Sequence, residues 1–458
     1  MTDMPIDRTI ENPVIVGAGQ AGALLAIYLA RQGHHVTVYE SRPDLRRVDI
    51  DAGRSINLAL ATRGIVPLID VGVIERVDAI TIPMRGRMVH AVGDPTPDLQ
   101  PYGSKPHEVI HSVSRSDLNA ILLDAAEATG RVDIVFDATV DSVDLETRTI
   151  RFRDGTSAKF GVVFGADGAG SRVRKAMAGV GACDFRTDWL DHDYKELTLA
   201  PAEDGSHRID PQALHIWPRG ELMLIALANP EGDFTVTLFA PKTTFAELDG
   251  DPAAVAGFFA REFPEFTAMM PDLVEQFGEN PTGRLGTLHA TGWSYQDRAV
   301  IVGDAAHAIV PFHGQGMNAA LESVRILDRH LRSTPGPLDA AFGAYEAERK
   351  PDADAIAAMA LGNYLEMRSG VVDPDYLAKR SMALDLEQRH PDHLSPRYNM
   401  VMFSTMRYAE AQSRAAAQSA LITQALADRD FDIDAAVEAL PELPALDPLA
   451  DNHALSIS

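Results

Sequence analysis

The stretch VIVGAGQAGALLAIYLARQGHHVTVYE, Val14 to Glu40, restricts the possible folds more than any other part of the chain. Val14–Val16 is a β-branched run suited to a buried strand. It leads into Gly17-Ala-Gly19-Gln-Ala-Gly22 and then into ALLAIYLARQG, an apolar-periodic helix capped near Gly33. A second strand, Val36–Tyr39, ends at Glu40. In this setting the glycines have separate tasks. Gly17 permits the tight turn, Gly19 lets a pyrophosphate approach the backbone, and Gly22 lets helix and strand pack closely. The helix N-terminus, with Gln20 and Ala21 in its first turn, offers partial positive charge to phosphates. Glu40, 23 residues after Gly17, stands where an acid accepts hydrogen bonds from an adenosine ribose, with Ser41 and Arg42 beside it. The segment predicts a bound ADP moiety and leaves NAD and FAD both open.

Two later segments point to FAD. FGVVFGADGAGSRVRKAM, Phe160–Met177, is a buried strand followed by Asp167-Gly168 and a helix. AVIVGDAAHAIVPFHGQGMNAALESV, Ala299–Val324, is a strand, then Gly303-Asp304, then a turn-rich segment entering another helix. A flavin's ribityl hydroxyls need an acceptor, which Asp304 supplies. Reduced flavin carries negative charge near N1, and a helix beginning at Gly316-Met317-Asn318 aims N–H groups at such charge. Either dipeptide alone is a common turn; the three segments in this order are not.

With 458 residues, 46% hydrophobic and 23% charged, the chain has enough apolar residues for a large core and more than one domain. A net charge of −25 argues against nucleic acid and against anionic membrane surfaces. The single cysteine, Cys183, excludes an intrachain disulfide and suits a reducing compartment. MTDMPIDRTIENP is too polar for a signal peptide, and no run of about 18 apolar residues occurs. A cytoplasmic, non-membrane protein is expected, as monomer or homodimer. There is no zinc-type cysteine cluster, no G-x-S-x-G elbow and no HExxH.

From about Val14 to Met406 the chain resembles the class A flavoprotein aromatic hydroxylases, the p-hydroxybenzoate hydroxylase family, and within it the branch that acts on L-kynurenine. The carriers are GRSINLAL (Gly53–Leu60), MRGRMVH (Met84–His90), LQPYG (Leu99–Gly103), LHIWPRG (Leu214–Gly220), FTVTLF (Phe234–Phe239), VPFHGQGMN (Val310–Asn318) and NYLEM (Asn363–Met367). The acidic, Pro-punctuated C-terminal stretch departs from the membrane anchor of eukaryotic relatives, so membrane attachment is not carried over. The resemblance implies non-covalent FAD, NADPH as co-substrate, dioxygen adding at flavin C4a, and oxygen transfer from the hydroperoxide to an electron-rich ring. The protein's part is then a dry pocket with few polar anchors.

The expected architecture is α/β: a Rossmann-type FAD-binding domain from residues 1–75, 105–180 and 285–340, interleaved with an antiparallel-sheet substrate domain from 76–104 and 181–284. Segments such as ALHIWP and FTVTLFAP alternate as strands do. From 341 to 458, Ala, Leu, Met, Glu and Arg predict a helical layer, after the linker STPGPLD, Ser333–Asp339.

A kynurenine carboxylate calls for a guanidinium fork. Arg85 and Arg87, two apart on a predicted strand, share a face. The resemblance assigns the carboxylate to Arg87, assisted by Tyr102, and the amino-acid end to Asn363 and Glu366, which lie three apart on one helix face. It places Phe239, Phe312 and His313 at the aromatic ring and ketone, and Tyr398 as a wall from the C-terminal layer. His307 reads as structural. Arg54, Ser55, Asn57 and Ala59 of GRSINLAL, and Arg115 of HSVSRSDLN, are read as facing the cofactor. Two other readings stay open: a hydroxylase of another amino- or hydroxy-substituted aromatic, and a related FAD-dependent reductase that inserts no oxygen. A non-catalytic FAD-binding sensor is disfavoured by the polar anchors.

Overall fold

Val14, Ile15 and Val16 are fully buried, as a run without polar alternation requires, and strand Pro13–Val16 pairs in parallel on both sides, with Val36–Tyr39 and with Val162–Gly165. The computed structural model describes residues 8–48, 57–94, 96–103, 105, 108–368 and 373–445. Parallel strands Val132–Val135 and Ala299–Ile301 extend the sheet on either side, and Ser294–Tyr295 closes one edge antiparallel. After Pro13–Val16 the chain crosses to one neighbour, while the strand on its other side arrives some 150 residues later. A crevice opens at such a switch point, at the strands' C-terminal ends. Helix Gln20–Arg31 packs behind it on helix Gly316–Ser333.

The second sheet has seven strands, in the order Thr282–Ala290, Phe185–Leu199, Phe234–Pro241, Leu222–Ala228, Leu214–Arg219, Gly86–Val89 and Asp98–Pro101. All its pairings are antiparallel except Leu214–Arg219 with Gly86–Val89. Phe234–Ala240 is buried throughout because both faces are covered. On one face Trp217, Leu224, Phe234, Val236 and Leu238 pack against Phe258, Phe259, Phe263 and Phe277. Phe258, Phe259 and Phe277 belong to helices between Lys242 and Glu279, and Phe263 joins two of them, where the alternating pattern predicts strands. Asp251 decides the matter locally: its carboxylate accepts the N–H groups of Ala253 and Ala254, with Pro252 at the first helical position.

The other face meets the C-terminal layer: helices Leu338–Arg368, Pro374–Arg389, Arg397–Met402, Tyr408–Ala427 and Ile433–Glu438. The junction holds a buried charge network. Arg63 donates to the carbonyls of Met400, Val401 and Met406 and to Glu322, while Arg349 takes the other Glu322 oxygen. The Tyr408 ring lies 4.0 Å from the Arg63 guanidinium, and its hydroxyl donates to Gln315. Among the described residues no helix is long and apolar enough to cross a membrane, and no group of His, Cys, Asp or Glu could hold a metal.

Candidate active site

The loop after Pro13–Val16 shows why each glycine is there. Gly17 has φ of +98°, and a Cβ on it would lie 2.5 Å from the Ala166 oxygen. A Cβ on Gly22 would lie 1.9 Å from the Gly17 oxygen, so helix and loop touch there. Gly19 differs: nothing lies within 4 Å of its Cβ position, although it caps the helix. Gly316, at the start of helix Gly316–Ser333, is open in the same way. Two helix N-termini therefore present uncovered backbone, which suits the pyrophosphate and the flavin of FAD.

Glu40, expected at the adenosine ribose, follows strand Val36–Tyr39. Its carboxylate is 6% exposed and accepts hydrogen bonds from Ala18 N, Arg42 N and the Arg42 guanidinium, with Ser41 Oγ at 3.3 Å. Burial works against its charge, but Arg42 and the amides win and hold it below the usual carboxylate range. Gln20 donates to the Arg115 carbonyl, and Ala21 packs close to Gly303, where an added Cβ would lie 3.3 Å from its own. Asp304 is exposed at the crevice, where enclosing walls push its carboxyl up while Arg115 opposes the shift. Glu196, absent from the sequence reading, also interacts with Arg115; burial raises its carboxyl to about 7 against the arginine's pull. Nothing in the alternation of strand Phe185–Leu199 marks Glu196 as different from its neighbours.

Two residues expected to face the cofactor have other employment. The Asp167 carboxylate accepts from Ser171 Oγ and from the amides of Arg172 and Val173, so it caps helix Arg172–Gly179. The Asn318 side chain is fully buried; it accepts the Ala61 N–H and donates to the carbonyls of Ala59 and Gly314. It pins the Ala59 segment to the helix start, leaving the helix amides rather than its amide group for a ligand. Met317 is buried next to it. Asn57 donates to Ser112 and to the Ala228 carbonyl. Arg54 and Ser55 lie outside the described residues.

The second centre is built on Arg87, 3% exposed on strand Gly86–Val89. Its guanidinium donates to Glu366 Oε1 at 3.1 Å and to Asn363 Oδ1 at 3.4 Å, both from helix Leu338–Arg368. It lies 4.8 Å from the Tyr398 ring centroid and 6.0 Å from that of Tyr102; the two tyrosines stack at 5.1 Å. Burial disfavours the Arg87 charge, yet the tyrosine oxygens and Glu366 outweigh it, and the group stays protonated. Glu366 also accepts from the Tyr376 hydroxyl and pairs with Arg397 at 2.9 Å, and the two arginines overcome its desolvation to hold it ionised.

His313 stacks on Tyr398, Phe312 packs on Phe239 at 4.9 Å, and Asn363 donates to the Phe312 carbonyl. His313 is 2% exposed, and neither ring nitrogen has a hydrogen-bond partner. Burial, with Arg397 and Arg87 nearby, lowers its pKa to about 3, so the imidazole is neutral. A buried neutral imidazole with both nitrogens unused points to a ligand.

Arg85 does not join this group. It falls between strands Thr81–Met84 and Gly86–Val89, where alternation is broken, and its guanidinium binds Asp210 and Gln212 at the surface. Three members escaped the sequence reading: Tyr364, stacked on Phe312 at 4.0 Å, Tyr376 and Arg397. Tyr364 and Arg397 each adjoin a residue it named, and adjacency was the only available signal. His307 is structural: buried and hydrogen-bonded to Ser323.

Known proteins share this fold. A family model described as "FAD binding domain" matches residues 12–360. Solved structures of 2-methyl-3-hydroxypyridine-5-carboxylic acid oxygenase (tetrameric form; TM-score 0.66, 18% identity, 81% of this chain and 96% of that one) and of Pseudomonas aeruginosa PqsL with 2-aminobenzoylacetate (0.65, 22%, 78% and 97%) share the fold. The kynurenine 3-monooxygenase of Stenotrophomonas maltophilia (strain K279a) is 47% identical over 94% of this chain and 97% of its own length. That of Xanthomonas axonopodis pv. citri (strain 306) is 46% identical over 90% and 91%. The family model and these relatives define an FAD-dependent aromatic monooxygenase. Within that class, the chain belongs to the kynurenine 3-monooxygenase family.

Proposed function

We propose that the protein hydroxylates L-kynurenine to 3-hydroxykynurenine, with NADPH as electron donor and dioxygen as oxygen source. The observation that carries this reading is the charge array at Arg87. Two guanidiniums, Arg87 and Arg397, face one carboxylate, Glu366, inside a wall of aromatic rings. The excess positive charge suits a substrate carboxylate, and Glu366 suits the ammonium beside it. The stacked rings of Tyr102 and Tyr398 pack beside the guanidinium. Neutral His313 can donate one hydrogen bond and accept another, matching a ketone and an arylamine on the substrate's other end. Phe239 and Phe312 supply apolar surface for the ring.

FAD fits the crevice, where Gly19 and Gly316 leave backbone uncovered at two helix N-termini and Asp304 stands exposed between them. Bound there, FAD supplies reduction by NADPH and activation of dioxygen. The chain's own part is to orient the aromatic amino acid and keep water away from the reacting edge. The relatives at 46–47% identity carry the kynurenine name and support the substrate assignment. NADPH consumption measured with and without L-kynurenine, with mass analysis of the product, tests it. Substrate-stimulated oxidation and a gain of one oxygen are expected; flavin reduction without oxygenation, or no turnover, overturns it.

A further inference from the structure

The site around Arg87 is closed. Arg87, Tyr102, Phe239, Phe312, His313 and Asn363 are each 5% exposed or less, so a substrate reaches them only if a wall yields. One wall is a single ring thick. Tyr364 stacks on Phe312 at 4.0 Å and meets His192 edge-on at 5.3 Å. Tyr364 and His192 also line an open groove of about 440 Å³, together with Leu190, Pro241, Leu361 and Leu365. Leu361 and Leu365, one helical turn apart, are 37% and 57% exposed.

The groove's edge carries both signs of charge. Asp191 and Glu221 are exposed carboxylates, and the Lys242 ammonium donates to the Leu190 carbonyl at 2.6 Å. An apolar floor with charges of both signs at its edge complements a small aromatic zwitterion. Two carboxylates repel the phosphates of a dinucleotide.

We propose that this groove is the vestibule through which an aromatic amino acid reaches the Arg87 site, with Tyr364 as the gating ring. The proposal rests on the substrate reading above. It differs from a binding role in one measurable respect: blocking a path slows arrival and departure equally and leaves affinity alone.

The test uses the FAD-loaded enzyme carrying Leu365→Cys, modified with a bulky maleimide. Cys183, at 3% exposed, leaves the introduced thiol as the reactive one. Leu426→Cys, on helix Tyr408–Ala427 and 44% exposed, carries the same label as a control. Stopped-flow mixing with L-kynurenine gives both rate constants. Labelling at residue 365, and not at 426, should slow association and dissociation together by about tenfold or more, with Kd within about twofold. In a second variant, Tyr364→Ala, both rates should rise. Unchanged association in the labelled Leu365→Cys enzyme, or weaker affinity at an unchanged association rate, overturns the vestibule. Failure of the unlabelled enzyme to bind L-kynurenine overturns the substrate reading and this proposal with it.

Discussion

At the scale of single residues, burial decides what a charged or titratable group can do. Arg87→Ala would remove the guanidinium fork from a closed pocket and leave Glu366 with Arg397 and Tyr376 alone. By the usual range for buried charge pairs, L-kynurenine binding should weaken by roughly 2–5 kcal/mol. Arg87→Lys should not restore it, because an ammonium cannot reproduce the bidentate geometry. FAD content should stay near wild type; calorimetric titration with L-kynurenine showing a loss of under about 1 kcal/mol would place the carboxylate anchor elsewhere. His307 makes a different prediction. Burial and Arg349 lower its pKa from 6.5 to about 3. Between those values the unfolded chain binds a proton that the native state does not, so stability falls as pH drops below 6.5. At pH 5 the group should have removed about 2 kcal/mol. Denaturant unfolding of His307→Gln at pH 7.5 and 5 should show a shallower acid-side loss; an identical slope would mean that this histidine is protonated in the native protein.

At the scale of elements, legibility follows the range of the forces. The strand–loop–helix–strand of residues 13–40 stands in the structure where periodicity and glycine spacing put it, because its contacts are local. The break at Ser333–Leu338 was equally plain, since Pro and Gly interrupt both helix patterns there. Helices between Lys242 and Glu279 were hard to read: their phenylalanines serve a helix face and a sheet face equally well, and the helix start at Asp251-Pro252 is a short local signal beside them. Arg85 and Arg87 could not be told apart by count, because the strand break at Arg85 is a tertiary event. The glycine loop gives a paired prediction. Gly19→Ala should leave folding of the apoprotein unchanged, as nothing lies within 4 Å of the new methyl, but should obstruct the pyrophosphate. Gly22→Ala drives a Cβ to 1.9 Å from the Gly17 oxygen and should destabilise the apoprotein itself. Thermal unfolding without FAD, set beside FAD titration, separates the two; equal melting losses in both variants would refute the division of tasks.

Across the whole molecule the C-terminal layer and the FAD crevice are joined through one fully buried arginine. Arg63 follows strand Asn57–Leu60, reaches Glu322 on the helix that begins at Gly316, and holds three carbonyls of the segment 400–406 just after Tyr398. Tyr408 carries the link to Gln315, the residue before Gly316. No pattern in the sequence marks Arg63, since its partners lie more than 250 residues away. Breaking a buried ion pair by removing one partner costs about 3–5 kcal/mol, far more than a surface pair. Here part of that cost is recoverable, because Arg349 still neutralises Glu322. The damage from Arg63→Met should therefore concentrate in the carbonyls of 400–406, which lose their donor while remaining buried. Hydrogen exchange should accelerate across 397–427 and stay slow in the parallel strands Pro13–Val16 and Val162–Gly165. FAD should remain bound, since Gly19 and Glu40 lie outside the network, while L-kynurenine affinity falls as Tyr398 loses its support. Uniform acceleration across the whole chain would show that Arg63 stabilises the protein generally, and unchanged exchange in 397–427 would show that the layer is held by apolar packing alone.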